Sequence, residues 1–81
     1  MNSPIILPDL GEGDQPIRLA QWLVESGDTV VEGDRVVEVL VGGVLFHVAS
    51  PTDGVVRRTI ESEGTLLVPG TELGLIVQES R

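Results

Sequence analysis

The sequence predicts an all-β domain, a flattened sandwich or barrel of two four-stranded antiparallel sheets with pseudo-twofold symmetry. Three observations lead there. Glycine and proline, ten and five in 81 residues, leave no helix-length window with a helical apolar period. The stretches between them are mostly Val, Leu and Ile, with Trp22 and Phe46 the only aromatics, a composition that suits strands. The third observation is an internal repeat. Gly27, Val31, Gly33 and Val36 recur at a constant offset as Gly64, Val68, Gly70 and Leu73, and Val39-Leu40 recurs as Ile76-Val77. Two similar four-stranded units, each with an apolar face too small to stand alone, are expected to pack together as one domain spanning residues 1–81.

The elements follow in order. A first strand is placed near 4–8, and Gly11-Glu12-Gly13-Asp14-Gln15-Pro16 reads as an exposed loop before a second strand over 17–25. Ser26-Gly27-Asp28 and Glu32-Gly33-Asp34 are turns, because Asp bonds nearby amides and Gly takes positive φ. They bracket a short strand at 29–31. Arg35 to Val41 and Val44 to Ala49 are β-branched runs separated by Gly42-Gly43 alone. That is the signal for a two-residue hairpin, whose type I′ turn needs φ > 0 at both central positions. Further strands are expected over 54–61, 66–68 and 72–78.

Composition excludes several functions. No cysteine is present, so neither a disulfide nor a thiolate metal site supports the fold. The formal charge of −8 argues against nucleic acid and anionic membrane surfaces as partners. No apolar run approaches the ~20 residues that cross a bilayer, and no signal-peptide pattern opens the chain. The expected location is cytoplasmic.

Individual candidates for chemistry are weak. His47, the only histidine, is expected on the strand face opposite Phe46 and Val48, exposed and structural. Trp22, among Leu19, Leu23 and Val24, reads as core or hairpin packing and not as a ligand platform. Asp28 and Asp34 lack the spacing of a calcium loop and serve their turns. Gly11-Glu12-Gly13 has neither the following helix nor the lysine of a phosphate loop. Arg57-Arg58 is expected at a solvated edge or paired with Glu61 or Glu63. No constellation supports catalysis, so the chain is expected to be a non-enzymatic module.

Three longer motifs carry a resemblance. Ile6-Leu7-Pro8-Asp9-Leu10-Gly11-Glu12-Gly13, the run from Trp22 through Gly27-Asp28-Thr29-Val30, and Ala49-Ser50-Pro51-Thr52-Asp53-Gly54 together resemble a lipoyl domain of the 2-oxo acid dehydrogenase acyltransferases. The similarity runs from Pro4 to Val77. In that family the hairpin tip carries an Asp-Lys-Ala triplet, and the lysine amine holds lipoate through an amide bond. The matching triplet here is Gly42-Gly43-Val44, which puts Gly43 at the lysine position, and the chain contains no lysine at all. The related biotinyl domains carry Met-Lys-Met at this turn, which is equally missing. Only the α-amine of Met1 remains, and the family places that end away from the hairpin.

The resemblance thus implies a lipoyl-like scaffold with no cofactor of its own, serving as a docking module. It nominates the loop residues Glu12, Gly13, Asp14 and Gln15 for partner binding, because the family's loop lies beside the lysine hairpin. It implies a 2-oxo acid decarboxylase or dihydrolipoyl dehydrogenase as partner. Two other readings stay open: a working carrier's domain whose lysine was removed by engineering, and a biotinyl-like structural module.

Overall fold

The structure, a computed structural model, describes residues 2–11 and 13–78. It contains eight strands: β1 Asn2–Ile6, β2 Ile17–Trp22, β3 Thr29–Val30, β4 Arg35–Val41, β5 Val44–Ala49, β6 Gly54–Arg58, β7 Leu66–Leu67 and β8 Glu72–Val77. They form two antiparallel four-stranded sheets, ordered β1-β8-β6-β3 and β5-β4-β2-β7. No helix occurs among the described residues. The all-β, two-sheet expectation is met.

The repeat is real, but the halves are interleaved. Advancing each strand by four places turns β1-β8-β6-β3 into β5-β4-β2-β7, the order of the second sheet. Each sheet therefore takes two strands from each half of the chain, whereas the sequence suggests one four-stranded unit per half. A periodic sequence fixes which positions are equivalent and says nothing about which strands pair. The equivalence extends to single hydrogen bonds. The Gly27 amide donates to the Val56 carbonyl (2.8 Å), and its counterpart Gly64 donates to Leu19 (2.8 Å).

The core is aliphatic. Ile5, Leu7, Leu19, Val36, Val37, Val39, Val56, Leu73 and Ile76 are almost wholly buried. Val36 and Val37 are adjacent yet both inward, because a register shift between Arg35 and Val37 in the β4–β5 pairing inserts an extra residue. Trp22 packs against this cluster and its indole N–H donates to the Ile60 carbonyl at 2.7 Å, tying β2 to the segment that follows β6. The Arg58 guanidinium stands 5.8 Å from the centre of that ring and bonds Glu61 at 2.7 Å. Of the two expected carboxylates it is Glu61, and not Glu63, that pairs with Arg58, and Glu25 stands on its other side at 3.6 Å.

Six strands end earlier than the sequence suggests: β3, β7 and β8 by one residue, β1 by two, and β2 and β6 by three. β2 stops at Trp22: Leu23 makes one more bond to Val36 O (2.9 Å), after which Asp28 Oδ2 accepts from the Glu25 amide and closes the turn. β6 stops at Arg58 because the amides of Thr59 and Ile60 both donate to the single carbonyl of Leu73, at 3.0 and 3.1 Å. Two donors on one acceptor break the ladder register. At the other end β1 begins at Asn2, paired with Val77, ahead of the expected 4–8.

Candidate functional site

The β4–β5 hairpin is built as its sequence demands. Val41 pairs with Val44, so Gly42 and Gly43 alone make the turn, with φ of 55° and 81°. Positive φ at both central residues is the mark of a type I′ turn, whose twist matches that of the flanking strands. A Cβ added at Gly43 meets nothing within 4 Å, so this position faces open space. Gly42 differs. A Cβ there collides with the side-chain oxygen of Gln15, whose amide lies over the turn.

That contact brings the loop between β1 and β2 onto the hairpin, as the resemblance implied. The loop is pinned at its ends, and Leu10 within it packs against the core. The Leu7 amide donates to Thr71 O at 2.9 Å, the Gly11 amide donates to Asp9 Oδ1 at 2.8 Å, and Ile17 is buried on the far side. Gly13, Asp14 and Gln15 are exposed, and Glu12 lies outside the described residues. The loop is also where the two halves differ. Leu7 to Pro16 connect β1 to β2, while only Ser50 to Asp53 connect the equivalent β5 and β6.

The outer face beside the hairpin carries two rows set by the strand register. Leu45 pairs with Leu40, Leu40 with Arg18, and Arg18 with Leu66. The three leucines are exposed, and the Arg18 guanidinium donates to Gly64 O at 2.9 Å. One row further from the tip, Glu38 accepts from Gln21 Nε2 at 2.7 Å and bonds His47 Nε2 at 2.8 Å. His47 is exposed on the face opposite Phe46 and Val48, as expected. The leucine row was legible only once the two-residue turn fixed the register. Period-two alternation from buried Val39 and Val41 places Leu40 outward.

The Gln21 hydrogen bond, followed by the His47 hydrogen bond and charge, holds the Glu38 carboxyl below the ordinary glutamate value of 4.5. Its folded pKa being depressed, the stability it contributes is present above the unfolded value and lost as pH falls through the folded one. Urea midpoints followed from neutral pH toward pH ~3 should therefore fall along a shallower acid limb in Glu38→Gln than in the wild type. Identical limbs would remove Glu38 from the acid response.

Other features lie away from this end. Asp28 and Asp34 accept from the Glu25 and Val31 amides (2.8 and 3.0 Å), the turn roles expected of them. Two open clefts of about 460 and 490 Å³ flank β6, lined by residues such as Thr29, Asp53, Ser26 and Arg57, with none from the hairpin. Among the described residues no His/Asp/Glu cluster suits a metal. No helix among them is long and apolar enough to cross a membrane.

Comparison with known proteins agrees with the geometry. The biotin/lipoyl family model, described as biotin-requiring enzyme, matches residues 3–76. The dihydrolipoyllysine-residue acetyltransferase component of the pyruvate dehydrogenase complex of Staphylococcus aureus is 38% identical over 64 residues. The same component of Staphylococcus epidermidis is 36% identical over 64 residues. In both cases the match covers 79% of this chain and 15% of the relative, so the chain spans a small part of the curated relatives' length.

Proposed function

The chain belongs to the biotin/lipoyl domain family, and from that premise we propose that it is an unlipoylated lipoyl-type domain acting as a docking module. The whole chain, 1–81, is one domain in this reading and does no catalysis itself. It belongs to the acyltransferase component of a 2-oxo acid dehydrogenase complex in the cytoplasm. The decarboxylase or dihydrolipoyl dehydrogenase components of that complex are its partners.

One observation carries the proposal. The hairpin tip keeps its turn geometry and its contact with Gln15, while Gly43 offers no side-chain nitrogen and no lysine exists elsewhere in the chain. Lipoate and biotin are both carried through an amide on a lysine amine, so the residues present do not fit either group. What remains is a loop-and-hairpin surface on a domain of charge −8. Long-range charge speeds encounter with a cationic partner, and salt screens it.

The test has two parts. The wild-type chain, coexpressed with a lipoyl ligase, should keep its unmodified intact mass. Titrated against a purified decarboxylase component, it should bind with an affinity that weakens roughly tenfold between about 50 and about 500 mM salt. Asp14→Asn together with Gln15→Ala should weaken binding further. A lipoyl increment on the wild-type mass, or binding indifferent to both salt and loop, would overturn this reading.

A further inference from the structure

The four sheet edges are not equally protected. β3 and β7 are two residues long, too short to template another strand. β1 and β5, the other two outer strands, are pseudo-twofold counterparts and share the same irregularity. β1 shifts register between Ile5 and Ile6 against β8, and β5 does so beside Val48 and Ala49 against β4. In that correspondence Pro4 falls on His47. The two-residue turn makes Val41–Val44 a hydrogen-bonded pair, and alternation then points the N–H and C=O of Leu45 and His47 away from β4. The same alternation aims residue 4 at the free edge of β1, where proline has no N–H to offer. One edge is blunted and its twin is open.

The open edge is Val44-Leu45-Phe46-His47-Val48-Ala49, with no proline and no carboxylate. Val44 and Leu45 are about half exposed, and Phe46 is only partly buried at the margin of the core. The one titratable side chain of β5, His47, is engaged by Glu38 within the same sheet. The strand therefore shows no charge by which an unrelated basic or acidic strand would be selected, and its apolar side chains are their own complement.

We infer that β5 is a self-association edge, on which a second copy of this chain adds antiparallel so that two four-stranded sheets become one of eight strands. Leu45 lies opposite the second copy's His47, and each such pair exchanges two main-chain hydrogen bonds. Phe46 then meets its own mate on the twofold axis, and Val44 meets the second copy's Val48. The contact is isologous and closed, so it stops at a dimer. Two copies each carry charge −8, and this repulsion is long-ranged at low salt but confined within ~8 Å at physiological ionic strength. Self-association must therefore strengthen with salt, opposite to the partner docking proposed above, and the two readings fail separately.

Sedimentation velocity of the intact chain, from micromolar to near-millimolar concentration at about 20 and about 500 mM sodium chloride, tests this. A dimer should appear, with a dissociation constant at least about tenfold lower at high salt. Leu45→Lys, at an exposed position, should leave the β-sheet spectrum unchanged and abolish the dimer. Ile6→Lys, an exposed position on β1, should leave it intact. A chain monomeric throughout, a dimer that survives Leu45→Lys, or a dimer lost in Ile6→Lys overturns the assignment.

Discussion

Gly43→Lys should convert the chain from one that a lipoyl ligase leaves untouched into one that it modifies in most molecules. The position faces open space, so the new side chain has room to extend. Its φ of 81° lies in the left-handed region, which costs a β-carbon about 1–2 kcal/mol. A hairpin anchored along β4 and β5 can absorb that. Adding Gly42→Asp acts differently. Asp tolerates left-handed φ, but its Cβ must displace the Gln15 side chain from above the turn. The double variant should also be modified, with the Gln15 side-chain amide signals moved in NMR spectra, while the single variant leaves them in place. Intact mass reads the first effect. A folded Gly43→Lys variant that never gains the lipoyl mass would mean that the tip is not presented as it is in the family.

Leu73→Ala should produce the largest loss of stability. Leu73 is fully buried, while its carbonyl is the acceptor that ends β6. Removing a buried leucine side chain costs the transfer term and leaves a cavity, together about 2–5 kcal/mol. A chain of 81 residues has a total of only roughly 4–12 kcal/mol at typical stability per residue. The variant should be strongly destabilised or unfolded at 37 °C, by urea or thermal melts. Leu66→Ala supplies the contrast. That leucine is 61% exposed, and its truncation should change stability by no more than about 0.5 kcal/mol. Equal effects at both positions would mean that the core is not centred where the strand register puts it.

Much of the fold was readable because local chemistry dictates it. Gly42-Gly43 between two β-branched runs admits few conformations besides the tight hairpin, and the observed φ values agree. The recurrence of Gly27, Gly33 and Val36 as Gly64, Gly70 and Leu73 marked equivalent turns and core positions. What escaped was tertiary. That Thr59 and Ile60 share the Leu73 carbonyl depends on a strand more than ten positions away, so the end of β6 has no local signal. Interleaving of the halves escaped for the same reason. Within the site, the hairpin followed from residue type, but the placement of the loop beside it came only from resemblance. The contact between Gln15 and Gly42 supplies its physical basis, since a glycine there leaves the volume that the glutamine fills.

The strand order has a bearing on biosynthesis. β8 lies between β1 and β6, so the first strand of the domain gains its sheet neighbour only when the last strand of the domain has been made. Contacts this distant in sequence form slowly. The nascent chain must meanwhile keep β1 unpaired, and the β1-β8-β6-β3 sheet closes only after every strand of the β5-β4-β2-β7 sheet has been made.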